Sequence, residues 1–114
     1  MKRFEKIIMI REKLISGKHS IGSWMQIPNA SVAEMMGDAG YDWVAIDLEH
    51  GSVSTQILPD LFRGLEIKNT LPLVRLAQGH PKDCKQALDA GAAGVIIPMV
   101  TSAKQLVELV TSCK

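Results

Sequence analysis

Aromatic side chains are scarce in this chain. Two Trp, two Phe and one Tyr among 114 residues leave too little flat surface for a base-stacking platform. Charge of one sign is also missing. Thirteen basic against twelve acidic groups give a formal charge of +1, and no basic block or stripe invites nucleic acid or an anionic membrane. Long apolar runs are absent near the N-terminus. Ile7-Ile-Met-Ile10 is too short for a signal-peptide core and far too short to cross a bilayer. Cysteine is limited to Cys84 and Cys113, with no CxxC or Cys/His spacing. Two reduced structural thiols in a cytoplasmic protein are the expectation, without metal binding through sulfur. No Gly-x-Gly-x-x-Gly or P-loop follows any apolar segment, which weakens nucleotide-binding readings.

What remains is ordinary globular composition, 46% hydrophobic and 22% charged, in a length that allows one domain with a moderate core. Residues 4–16 show helical spacing, with Gly17 as the stop. Residues 21–27 suit a first strand ended by Pro28, and Asn29 or Ser31 can cap a helix running to about Asp38. Gly40 precedes a second strand over 42–47. Ser52 or Ser54 can start a helix reaching about Lys68, interrupted or kinked at Pro59. A third strand spans 71–76, Pro81 fits the first turn of a helix ending at Asp89 or Ala90, and a fourth strand covers 94–97. Ser102 can cap a last helix reaching Lys114.

The order is therefore one helix followed by four βα units, which implies a parallel sheet with right-handed crossovers. Ala39-Gly-Tyr-Asp-Trp-Val-Ala-Ile46 also aligns without gaps on Ala90-Gly-Ala-Ala-Gly-Val-Ile-Ile97, so the helix-stop-plus-buried-strand unit occurs twice. Four units are half of a (β/α)8 barrel. A four-stranded doubly wound sheet is the competing architecture.

Chemistry concentrates at the expected strand ends, which face one mouth in a parallel sheet. The apolar run Trp43-Val-Ala-Ile46 leads into Asp47, Glu49 and His50. The first strand leads to Trp24-Met-Gln26, the third to Arg75, and the fourth to Pro98-Met99. Arginine offers a two-pronged fork for a carboxylate or phosphate. Histidine moves protons near neutrality, and nearby carboxylates can order metal-bound water or hold the imidazole in one tautomer. The combination suits proton transfer on a small carboxylate substrate, with metal assistance. Taken singly, Arg75 also suits a snorkelling surface residue and Trp24 a core residue. His19 and His80 sit in turns and are expected to be exposed and idle.

Gly22-Ser-Trp24, Ala33-Glu34, Gly40-Tyr-Asp-Trp43, Ile46-Asp-Leu-Glu-His-Gly51, Pro72-Leu-Val-Arg75, Leu88-Asp-Ala-Gly91 and Pro98-Met-Val100 resemble, in order and spacing, the HpcH/HpaI aldolases. These are pyruvate-dependent class II aldolases, among them 4-hydroxy-2-oxoheptanedioate and 2-dehydro-3-deoxyglucarate aldolases. The resemblance runs from about residue 14 onward, and its most specific part is Asp-x-Glu-His followed by Pro-x-Val-Arg. It implies an α/β fold, a TIM barrel of which this chain is the N-terminal half, and a divalent cofactor, Mg²⁺ or Mn²⁺. It also implies reversible aldol chemistry that releases pyruvate and an aldehyde. By matching position His50 serves the acid/base step with Asp89 as its dyad partner, and Arg75 binds the keto/enolate oxygen and carboxylate. Trp24 lines the mouth, and Asp47 and Glu49 surround the metal and its waters. Homo-oligomers are implied as well, with a small-molecule substrate and neither nucleic acid nor membrane as partner.

The resemblance places the direct metal ligands, a Glu and an Asp, on later strands, so no residue here is assigned as one. Residues 1–114 are accordingly expected to form a single partial barrel domain, truncated before the second half and with little aldolase activity alone. A catalytically inactive half-barrel acting as an interaction or assembly module, and another small-molecule α/β enzyme, stand as alternatives.

Overall fold

Each strand is preceded by one residue in the left-handed backbone region: Gly17 (φ 78), Gly40 (φ 94), Asn69 (φ 65) and Gly91 (φ 113). That conformation turns the chain off the end of a helix, and glycine or asparagine adopts it at least cost. A computed structural model describing residues 2–113 shows the elements these stops separate. They are α1 (Arg3–Ile15), β1 (Gly22–Met25), α2 (Ala30–Asp38), β2 (Trp43–Asp47), α3 (Leu58–Glu66), β3 (Leu71–Arg75), α4 (Pro81–Asp89), β4 (Gly94–Ile96) and α5 (Ala103–Ser112).

Helix starts follow side-chain chemistry. Asn29 Oδ1 accepts from the Ser31 and Val32 amides at 2.8 and 3.1 Å, and Ser102 Oγ from the Gln105 amide at 3.1 Å. His80 is not idle: its Nδ1 accepts from the Lys82 amide at 3.3 Å and caps α4. Pro59 does not kink a helix begun at Ser52 or Ser54. It lies in the first turn of α3, which starts at Leu58, where a missing N–H costs nothing.

The sheet order is β1-β2-β3-β4, with every neighbouring pair parallel. The four expected βα units after a helix are present, and the order never reverses. A doubly wound sheet needs such a reversal to place helices on both faces; successive same-handed crossovers without one keep all the helices on one side. On that side Met25, Val44, Ile46, Val74 and Leu76 pack against Ala33, Leu58, Leu61, Phe62, Leu65, Cys84 and Ala87. Each buried Leu, Ile or Val contributes about 1.5–3 kcal/mol. Helices α2 and α3 approach closely because Gly37 and Gly64 face across the contact. A Cβ on Gly37 would lie 2.7 Å from the Leu65 carbonyl oxygen.

Helix α1 has no fully buried residue, so polar anchors fix it. Lys13 Nζ contacts both oxygens of Asp42 at 2.9 and 3.1 Å, Lys6 Nζ lies 3.6 Å away, and Arg3 pairs with Glu66. Asp42 also accepts from the Ile21 amide at 3.0 Å. Burial pushes the Asp42 carboxyl up, but the Lys13 bond, the Ile21 amide and the two ammonium charges outweigh it and lower its pKa. Because Asp42 directly precedes β2, α1 lies at the end of the sheet opposite the strand tips. Cys84 and Cys113 correct the expectation of two free thiols. They form a disulfide joining α4 to the end of α5, with Cα atoms 5.9 Å apart, a separation typical of such a bond.

Candidate active site

Side chains alternate across a strand. Since Met25, Val44, Ile46 and Val74 face the helices, Trp24, Ala45, Asp47 and Arg75 face the other way. The register places Trp24 beside Ala45 and Asp47 beside Arg75. Three polar or aromatic groups from adjacent strands thus meet on one surface at the C-terminal tips.

Asp47 organises this surface. It is 1% exposed and accepts four hydrogen bonds. Its Oδ1 takes the backbone amides of Glu49 (2.8 Å) and His50 (3.0 Å), and its Oδ2 takes Trp24 Nε1 (3.0 Å) and Gln26 Nε2 (3.1 Å). Burial alone would raise the Asp47 carboxyl. The N–H groups of His50, Trp24, Gln26 and Glu49 outweigh that and hold its pKa far below the ordinary carboxylate value. One carboxylate therefore ties β1 to β2 and fixes the turn that presents Glu49 and His50. Gly51 completes the turn, since a Cβ there would lie 2.5 Å from the Asp47 carbonyl oxygen.

Arg75 is the second organiser. Its Nη2 donates to Glu49 Oε1 and lies 3.4 Å from His50 Nδ1. Its guanidinium carbon stands 5.7 Å from the Trp24 ring centroid, within cation–π range. Glu49 Oε1 is also 3.2 Å from His50 Nε2. These neighbours select a tautomer for neutral His50: Nε2 carries the hydrogen and faces Glu49, and the Nδ1 lone pair faces Arg75. The His50 side chain is 65% exposed, against 26% for Arg75 and 18% for Glu49. The imidazole thus stands at the rim with the guanidinium beneath it.

Five of the six residues singled out from sequence come together: Trp24, Asp47, Glu49, His50 and Arg75. Asp89 does not. It is the exposed last residue of α4. A helix returning antiparallel to the strands ends at their N-terminal edge, so the length of β4 and more, on the order of 15 Å, separates Asp89 from the mouth. Within one chain the His50–Asp89 dyad does not form, and the carboxylate beside His50 is Glu49. The sequence reading includes Gln26 only as a strand end. Its place two residues after Trp24, on the same face of an extended segment, was the available signal.

The carboxylates do not suit a primary metal site. Both Asp47 oxygens are committed to N–H donors, Glu49 is held by Arg75, and no group of three His, Cys, Asp or Glu among the described residues could hold a metal ion. A cavity of about 460 Å³ lies elsewhere, against α2 and residues 67–68, lined by Ser31, Glu34, Met35, Asp38, Ile67 and Lys68. None of these lies at the strand tips.

Residues 20–114 match the family model described as HpcH/HpaI aldolase/citrate lyase. A hydroxypyruvate/pyruvate aldolase of Roseobacter denitrificans is 36% identical over 104 residues, covering 91% of this chain and 41% of the relative. One from Agrobacterium fabrum is 41% identical over 97 residues, covering 85% and 36%. The crystal structure of an HpcH/HpaI aldolase from Desulfitobacterium hafniense superposes with a TM-score of 0.80 at 28% identity, covering 92% of this chain and 41% of that one. The chain thus spans roughly two fifths of the length of these relatives, and its four βα units correspond to part of a barrel.

Proposed function

The chain belongs to the HpcH/HpaI aldolase/citrate lyase family, and from that premise we propose that its strand-tip surface is the keto-acid half of an aldolase active site. The reaction is reversible cleavage of a 4-hydroxy-2-oxo acid to pyruvate and an aldehyde. The observation that carries this reading is the meeting of Arg75 Nη2 and His50 Nδ1 at 3.4 Å, with the guanidinium carbon 5.7 Å from the Trp24 ring centroid. A guanidinium and a basic lone pair there address a single small ligand.

In this reading Arg75 receives the carboxylate and the 2-oxo oxygen, where negative charge grows as the C3–C4 bond breaks. His50 takes the proton of the 4-hydroxyl as that oxygen becomes the aldehyde carbonyl and delivers it to C3 of the enolate to give pyruvate. In the addition direction it takes the proton from the pyruvate methyl group and returns it to the new 4-oxygen. Trp24 forms the wall that keeps the guanidinium in place. Asp47 touches no substrate; it holds the indole and the 49–50 turn. Glu49, in place of Asp89, is the carboxylate beside the imidazole within this chain before substrate enters. The dependence on Mg²⁺ or Mn²⁺ implied by the resemblance finds no direct ligand among the described residues.

The test uses a hybrid in which residues 1–114 replace the matching segment of the Roseobacter denitrificans aldolase. Exchange of pyruvate methyl protons in deuterated buffer is followed by NMR. Exchange is expected, with loss of about a hundredfold or more in His50→Ala and Arg75→Met. Exchange that survives His50→Ala undiminished refutes the assignment.

A further inference from the structure

We propose that Glu49 is a built-in ligand of Arg75, occupying the seat a substrate carboxylate would take, so that an entering anion must displace it. Glu49 thereby sets which anions the mouth accepts and how tightly. The inference rests on the reading of Arg75 as the substrate's carboxylate anchor and adds a residue that determines anion specificity.

Three observations carry it. Glu49 Oε1 is bonded to Arg75 Nη2, the nitrogen that also faces His50 Nδ1, so the side chain sits where the proposed chemistry requires a ligand oxygen. The competing anchors of Arg75 do not replace it. Trp24 offers only its ring face, and both oxygens of Asp47, the register partner of Arg75, are taken by four N–H donors. Finally, the backbone of Glu49 is pinned through its amide to Asp47 Oδ1 at 2.8 Å, while among the described residues its side chain is held only by Arg75 and His50. The carboxylate can therefore swing away without disturbing the turn.

Charge sets the consequence. With His50 neutral, Arg75 contributes one positive charge against the two carboxylates Asp47 and Glu49. A monocarboxylate enters a mouth that is already net negative, and its gain at Arg75 is reduced by the loss of the Glu49 pair. Removing the Glu49 charge while keeping its shape should tighten anion binding. A variant that merely damaged the site would loosen it.

The experiment titrates oxalate into the 114-residue chain and reads the emission of Trp24, with Trp43→Phe as background so that the indole over Arg75 is the only one reporting. Glu49→Gln is expected to lower the half-saturating oxalate concentration roughly two- to fivefold, the range a partly exposed ion pair can impose. Glu49→Asp, one methylene shorter, is expected to fall between it and the parent. Arg75→Met should silence the response, with circular dichroism confirming that each variant is folded. Equal or weaker binding in Glu49→Gln, while Arg75→Met is silent, overturns the role of Glu49 and leaves the carboxylate seat standing. A response in Arg75→Met like that of the parent overturns both. Silence in Glu49→Gln also overturns the proposal.

Discussion

Asp47→Asn is the sharpest probe of how the mouth is built. The substitution keeps size and shape but turns one acceptor oxygen into an NH₂ donor. In either orientation of the new amide, that NH₂ confronts two N–H groups: the Glu49 and His50 amides, or Trp24 Nε1 and Gln26 Nε2. Two hydrogen bonds are lost at a position 1% exposed, and the charge that strengthened the other two is removed. At about 1–1.5 kcal/mol per lost bond, plus the weakening of the remaining pair, the expected cost is about 3 kcal/mol. That is a large share of the 5–15 kcal/mol typical of a domain, and corresponds to a fall in Tm of roughly 10–15 °C. Urea unfolding followed by circular dichroism measures it. The pH dependence supplies a second check. The folded-state pKa of Asp47 is depressed, so its stabilisation is fully present above the unfolded value near 3.8 and is lost as pH falls toward the folded value. The gap between parent and variant should therefore be flat near neutrality and narrow only below pH 3.8. A cost under 1 kcal/mol at pH 7, or a gap that widens on acidification, refutes the four-bond account.

Other substitutions test neighbouring parts of the argument. Asp42→Asn should release α1, because its carboxylate holds Lys13, Lys6 and the Ile21 amide; a loss of about 2 kcal/mol with faster hydrogen exchange across residues 3–15 is expected, and unchanged exchange refutes it. The depressed pKa of Asp42 gives that anchor the same sign of pH dependence, present near neutrality and fading in acid. Gly22→Ala should cost about 1–3 kcal/mol, since its Cβ would lie 2.1 Å from the Trp43 indole; a stability equal to the parent's refutes that close contact. Gln26→Ala should leave Trp24 bonded to Asp47 but cost about 1 kcal/mol by removing one donor; a thermal melt identical to the parent's contradicts its place in the network.

Much of the architecture was legible because short-range chemistry decides it. Asn29, Pro81 and Ser102 mark helix starts whose caps need only neighbouring residues. Gly40 and Gly91 stand at the same place in the two aligned octapeptides, and both adopt positive φ before a strand. The misreadings came from features that need tertiary partners. Ile21 and Ile27 look like strand residues but lie beyond the ladder of an edge strand, 63% and 56% exposed. Pro59 reads as a break until residues 52–57 are seen to be loop. Trp24, Asp47, Glu49, His50 and Arg75 could be grouped from sequence because parallel strands bring their tips together. Asp89 enters the set only through the resemblance, and within one chain the direction of α4 carries it to the other end of the sheet. The bonds among the grouped residues, above all Arg75 with Glu49, depend on register and were not visible in the order of the letters.

Arg75 and His50 are expected to serve one and the same ligand. NMR of the ¹⁵N-labelled chain titrated with pyruvate tests this directly through the Arg75 guanidinium, the His50 ring nitrogens and the Trp24 indole N–H. All three signals should move with one common half-saturating concentration, while those of His19 and His80 stay still. Movement of Arg75 without His50, or of the two with unrelated concentration dependence, would contradict it.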